Sequence, residues 1–313
     1  MKKFLIFLFL GISTMSYSQK SSENIEWIPF NWTSGSIQGK YIDKLTMLIP
    51  VTIDELPYKF VMQFDLGAVT TVFYENPLKP FLEKYPSLNS KSDMTKKFEH
   101  AGQEYPMFRN VNLRLGKVVF KDIYVGLLTN YWEELSLDSI NSETEIRIGT
   151  IGADLAQNKV LIIDYKLNRL AVTDTLPSEY RNISFEKFKI DHGRIKLPFR
   201  INEKVEDLMF DTGSSMFSLI TSKQNAQAIG GTEIVDSLTV MSWSSYITFY
   251  GLEVVAPIMF GSKNMERSIV YYNENTDWEY FYKYEKIWGL TGNAYFFNNV
   301  VVIDYKNNRF GVQ

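Results

Sequence analysis

The sequence predicts an all-β protein made of two related halves, on three observations. Short runs rich in Val, Ile, Tyr, Phe and Thr alternate with Gly, Asn, Asp and Lys turns along most of the chain. Gly149 to Val172 aligns without a gap on Gly289 to Val312 at an offset of 140, and 11 of the 24 positions are identical. Among them are Gly149/Gly289, Gly152/Gly292, Ile163/Ile303, Asp164/Asp304, Tyr165/Tyr305, Lys166/Lys306 and Arg169/Arg309. Upstream of each block lies an Asp-X-Gly turn framed by apolar residues: Phe64-Asp65-Leu66-Gly67-Ala68 and Phe210-Asp211-Thr212-Gly213-Ser214-Ser215.

The N-terminus carries Lys2 and Lys3, an apolar run from Phe4 to Ile12 and small residues ending at Ser18. This is the layout of a secretory signal peptide over residues 1–18, with an apolar run too short to span a bilayer, so a periplasmic or secreted location is expected. No later segment reads as a membrane span. Removing residues 1–18 takes away two lysines and no acid, which moves the formal charge from −3 to −5. That mildly acidic balance, with no basic cluster, argues against nucleic acid as a partner. The chain has no cysteine, which excludes disulfides, thiol catalysis and a cysteine-linked lipid anchor.

Strands are expected at Leu45–Ile53, Phe60–Phe64, Val111–Leu115, Val118–Val125, Val160–Tyr165, Arg194–Ile201, Ser245–Phe249 and Val300–Tyr305. Two short helices are expected, Pro77–Lys84 and Ser222–Ile229, each a few residues after an Asp-X-Gly turn. Pro177-Ser178-Glu179 marks a polar break, which divides the mature chain into residues 19–178 and 179–313. Glu26-Trp27-Ile28-Pro29-Phe30 reads as an edge strand or a segment packed at the junction of the halves, with Trp27 and Phe30 as core residues.

Other chemistry is poorly supported. His100 and His192 are the only histidines, too few and too separated for a metal set, and no Gly-X-Ser-X-Gly turn is present. Asp164 and Asp304 each precede an Arg by five residues and read as structural ion pairs or turn caps. The aromatic stretch from Tyr271 through Trp278, Tyr280, Phe281, Tyr282 and Tyr284 reads first as a packed loop and second as a subsite or sugar-binding surface.

An aspartate at the end of an apolar strand is held at a fixed point, and the glycine after it lets another chain or ligand approach closely. Two such turns in a duplicated chain suggest one site between the halves, because two carboxyls forced together cannot both ionise and so divide acid and base roles. With these motifs, the chain resembles the two-lobed aspartic proteases of the pepsin and retropepsin type. Thr150-Ile151-Gly152-Ala153 and Leu290-Thr291-Gly292-Asn293 resemble that family's apolar-apolar-Gly element beside each catalytic loop.

The resemblance implies two β-barrel lobes with a cleft between them and an endopeptidase acting through Asp65 and Asp211 on a shared water, with Gly67, Thr212, Gly213 and Ser214 as support. It implies no cofactor and no metal and a polypeptide substrate in extended conformation, while two unequal halves in one chain make a monomer the expected state. Two departures matter. Leu66 stands where relatives carry Thr or Ser, so Thr212 braces the two turns from one side only. Ala68 lacks the hydroxyl of Ser214, which leaves Asp65 one hydrogen bond short and biases its pKa upward. Relatives cover the cleft with a hairpin, for which Phe98 to Tyr105 is a candidate with Gly102 at its tip, although an ordinary surface hairpin is the better reading there; Trp243-Ser244-Ser245-Tyr246 sits at the comparable place in the second half. The chain from Gln19 to the first strand is short for an inhibitory pro-segment. The alternative to a peptidase is an impaired relative that binds a peptide or partner, and a weaker third option is a carbohydrate-associated β protein.

Overall fold

The computed structural model describes residues 25–313 apart from 137, 139, 141–143, 243, 244, 266 and 267, so the expected signal peptide and Trp243-Ser244 lie outside the described residues. The chain is mostly β, in three sheets. An eight-stranded sheet takes all its strands from between Asn31 and Ile151, and a ten-stranded sheet takes its strands from between Lys189 and Thr291. The third sheet has six strands and belongs to both halves. No helix among the described residues is long and apolar enough to cross a membrane.

The repeated blocks meet in this shared sheet. Strand Val160–Asp164 runs antiparallel to Val300–Asp304, with Val160 opposite Asp304, Ile162 opposite Val302 and Asp164 opposite Val300. Equivalent residues of the two copies therefore cross about Ile162 and Val302, which gives the sheet a local two-fold relation. Side chains alternate between the two faces of the sheet. Leu161, Ile163, Val301 and Ile303 are fully buried on one face, while Ile162 and Val302 are buried on the other with Val160 and Ala171. Ile28–Pro29 forms the sheet's edge against Arg169–Thr173, as the sequence suggests, with Phe30 buried against Trp32 and Tyr165 and the Arg169 guanidinium over the Trp27 ring at 4.0 Å. Asp164 and Asp304 accept from Arg169 at 3.0 Å and Arg309 at 2.8 Å and also cap their turns, which makes them structural.

Six of the eight expected strand segments fall within strands, the other two stop one residue short at Asp164 and Asp304 with Tyr165 and Tyr305 in the turns that follow, and the two expected helices are present as Glu75–Lys84 and Lys223–Gly230. The second is capped by Ser222, whose hydroxyl accepts from the Asn225 N–H. The aromatic stretch is corrected: it is strand Ile269–Tyr272 followed by helix Thr276–Glu285, not a loop. Asn275 caps that helix by accepting from the Asp277 N–H, and Trp278, Phe281 and Tyr282 share a helical face that packs on the second-half core.

In each half, an apolar strand carries its aspartate to the centre of the molecule beside a parallel strand from the matched block. Lys59–Phe64 pairs with Glu145–Ile151, and Lys204–Phe210 pairs with Gly289–Thr291. The N–H of Asp65 bonds to the Ile151 carbonyl and that of Asp211 to the Thr291 carbonyl, both at 3.0 Å. The repeated glycines allow this approach: a Cβ on Gly152 would lie 2.6 Å from the Thr70 carbonyl carbon, and one on Gly292 would lie 1.9 Å from the Ser214 oxygen.

Candidate active site

The structure brings Asp65 and Asp211 together. A Cβ on Gly67 would stand 2.5 Å from Asp211 Oδ1, and a Cβ on Gly213 would stand 2.5 Å from Asp65 Oδ2, so each carboxyl rests on the glycine of the other half's turn. Only glycine leaves room for two carboxyls at this junction.

Each carboxyl is oriented by its own loop. Asp65 Oδ1 accepts from the Gly67 N–H at 2.9 Å and the Ala68 N–H at 3.1 Å. Asp211 Oδ1 accepts from the Gly213 N–H at 2.8 Å, and its Oδ2 accepts from the Ser214 hydroxyl at 2.8 Å. Asp65 is therefore not one bond short, as the missing hydroxyl at Ala68 suggests. It has two loop donors as Asp211 does, but both reach the same oxygen.

Burial pushes the Asp65 carboxyl well above the usual carboxylate range, the Asp211 charge and a hydrogen bond with Asp211 push it further, and the Ala68 and Gly67 N–H groups pull against both. The upward direction agrees with the sequence expectation. Its first cause is desolvation rather than the loss of a hydroxyl.

Thr212 ties the two turns. Its hydroxyl accepts from the Leu66 N–H at 2.8 Å and donates to the Phe64 carbonyl at 3.1 Å, and all three groups are buried. Leu66 returns no hydroxyl to the second half, so the brace is one-sided, and its side chain packs in the core instead. A second tie comes from Asn293: Tyr165 donates to its Oδ1 at 2.7 Å, while its Nδ2 donates to the Thr212 carbonyl at 2.9 Å and to Ser215 Oγ at 3.0 Å.

A third tie involves residues that the sequence did not single out. Arg194, at the start of the strand Arg194–Ile201, donates from Nε to the Gly67 carbonyl at 2.9 Å and from Nη1 to Glu285 at 3.0 Å. Glu285 is buried at the end of the aromatic helix and also meets the buried Lys196 at 3.3 Å. No short motif connects residues 67, 194, 196 and 285, so nothing local in the sequence points to the cluster.

Beside the two carboxyls lies a cavity of about 400 Å³ with walls from both halves. The first half supplies Gln63, Tyr74, Tyr131, Trp132, Arg147 and Thr150, and the second supplies Ser214, Met216, Phe217, Phe249 and Trp278. The second-half hairpin Ile234–Ser242/Ser245–Glu253 overhangs it with Thr239, Val240, Met241 and Tyr246. The first-half hairpin Ser92–His100/Gln103–Leu115 turns at Ala101-Gly102, in line with a tip at Gly102, but contributes nothing to the cavity wall. Tyr105 packs against Phe98 instead, in keeping with a surface hairpin. Of the aromatic stretch, Trp278 reaches the cavity, whereas Tyr280 and Tyr284 are exposed and stack on each other, with Tyr284 also stacked on His192.

The arrangement has the parts for general acid–base chemistry: a carboxyl whose proton affinity burial raises and a second carboxyl in contact, beside a cleft with apolar and aromatic walls. No protein-family model matches the chain, and no curated protein matches it either.

Proposed function

We propose that the protein is an exported endopeptidase of the aspartic type, with two barrel-like lobes and with Asp65 and Asp211 as its catalytic pair. The observation that carries this reading is the reciprocal seating of each carboxyl on the opposite glycine. The lobe reading is supported in the first half by the extra pairing of Lys40–Ile53 with Gln103–Leu115, which joins six strands in a ring.

Asp65, whose carboxyl is pushed well above the usual range by burial first and by its neighbour second, takes the role of acid in the pair, and Asp211 that of base. A water between them loses a proton to Asp211 as its oxygen attacks the peptide carbonyl carbon, while Asp65 donates its proton to the carbonyl oxygen. Collapse of the tetrahedral diol returns a proton to Asp65, passes the proton on Asp211 to the departing nitrogen and breaks the C–N bond. The pair ends as it began, and no covalent intermediate forms. The substrate is a polypeptide in extended conformation, whose side chains meet the aromatic and apolar walls of the cleft.

The second reading, a peptide- or partner-binding protein without turnover, is favoured by one observation: the brace at Leu66 is one-sided. Digestion of a diverse mixture of unfolded peptides between about pH 3 and 7 separates the two. Cleavage that Asp211→Asn abolishes supports the peptidase, and equal silence from two folded proteins supports the binder.

A further inference from the structure

Arg147 is a cation in the wall of the cleft that the fold does not require. It lies on the strand Glu145–Ile151, and one of its guanidinium nitrogens donates to Gln63 Oε1 on the neighbouring parallel strand. The guanidinium lies over the Trp132 ring at 4.4 Å, and Arg147 and Gln63 both line the cavity that holds Asp65 and Asp211. Ring and amide together fix the orientation of the charge.

Arg114, Arg169, Arg194 and Arg309 each meet a carboxylate within the protein. Arg147 has no such partner among the described residues, and its Nε is buried with no hydrogen-bond acceptor. A guanidinium partly withdrawn from water without a counter-ion is costly, and a ligand carboxylate would remove that cost.

The duplication supplies an internal control. The second-half position matching Gln63 is Met209 and that matching Arg147 is Ile287, and these two are buried in one apolar cluster. The matched positions therefore carry apolar side chains in one half, with Ile287 just before the strand Gly289–Thr291, and a polar, cationic wall in the other. Packing does not demand the Arg147–Gln63 pair.

From this we infer that Arg147, presented by Gln63 and Trp132, forms a subsite for a carboxylate of the bound peptide, either an Asp or Glu side chain or a free C-terminus. The inference rests on the reading of the cleft as a peptide-binding site and names the class of peptide it takes. A fixed guanidinium accepts a carboxylate bidentately, which a neutral amide side chain cannot match.

The test uses binding, so that it does not depend on turnover. Peptides that differ only by Glu or Gln at successive positions, each made with a free and an amidated C-terminus, are titrated calorimetrically into the Asp211→Asn protein. One position is expected at which Glu binds on the order of tenfold tighter than Gln, or else amidation is expected to weaken binding by that factor; the arm that responds identifies the source of the carboxylate. Adding Arg147→Met brings the ratio to about one, and Arg147→Glu shifts the preference toward Lys, with thermal unfolding used to show that both proteins are folded. Equal affinity for every pair, a preference that survives Arg147→Met, or no peptide binding at all overturns the inference. Cleavage by the unmodified protein without an acidic preference sinks the subsite and leaves the peptidase standing, while acidic-peptide binding without cleavage does the reverse.

Discussion

The Thr212 hydroxyl holds the Leu66 N–H at 2.8 Å across the junction of the two halves while donating to the Phe64 carbonyl. One second-half side chain thereby satisfies two buried backbone groups of the first-half turn. Replacing Thr212 with Val keeps the shape and leaves both groups unpaired, at a cost of about 1–3 kcal/mol for each. Thermal and denaturant unfolding are expected to show that loss together with reduced turnover, whereas Thr212→Ser, which keeps the hydroxyl, stays near the parent. A Thr212→Val protein as stable and active as the parent would remove the brace from the account.

The raised Asp65 carboxyl also sets a pH dependence of stability. Burial first, and Asp211 second, make the folded protein bind this proton more tightly than the unfolded chain does. The contribution is fully present below the unfolded carboxylate value of about 4 and is lost as pH rises through the folded value. Stability from this group therefore declines toward neutral pH. Asp65→Asn cannot ionise, so the difference in denaturation midpoint between variant and parent is expected to grow in the variant's favour from about pH 4 upward. A difference that stays constant with pH would contradict this.

Gly213 has no left-handed backbone angle, so alanine there meets only a contact problem. Its Cβ would sit 2.5 Å from Asp65 Oδ2, and the carboxyl must move to admit it. A displacement of that kind is expected to lower kcat by about a hundredfold with a much smaller change in unfolding temperature. Steady-state kinetics beside a melting curve reads both.

The cluster of Arg194, Lys196 and Glu285 predicts a strong effect far from any motif. Lys196 is 2% exposed and Glu285 1%, and Glu285 is also the partner of Arg194, which holds the Gly67 carbonyl. Removing the acid leaves the buried lysine with Asp191, at 2.9 Å, as its one carboxylate, beside the main-chain carbonyl of residue 285. Glu285→Ala is expected to destabilise the protein by about 3–5 kcal/mol. Denaturant unfolding measures it, and a loss below about 1 kcal/mol would show that Asp191 and the carbonyl of residue 285 suffice.

Much of this arrangement was legible in the sequence, for identifiable reasons. Strands such as Val160–Asp164 and Val300–Asp304 announce themselves as β-branched runs, and their duplication shows as identity because the same close approach needs Gly152 and Gly292. Asp65 and Asp211 stand out because each follows a Phe and opens an Asp-X-Gly turn at an equivalent place in the two halves. The helix Thr276–Glu285 was hidden by its aromatic content, although its Asn275 cap and the acids in its first turn were there to be read. Arg147 and Gln63 are 84 positions apart and meet only through parallel strand pairing, which no local pattern encodes. Comparing the halves position by position, with Arg147 against Ile287 and Gln63 against Met209, is the signal that would have found them.

The pH dependence of kcat/KM for one cleaved peptide, measured for the protein and for Asp211→Asn, tests the central claim most directly. Two coupled carboxyls that work with one shared proton predict a bell, falling on the acid side as the pair gains a second proton and on the alkaline side as it loses the first. The Asp211→Asn protein, folded by its melting curve, is expected to lose activity throughout. Cleavage that persists in that variant, or a rate that does not fall on both sides, would contradict a mechanism shared between Asp65 and Asp211.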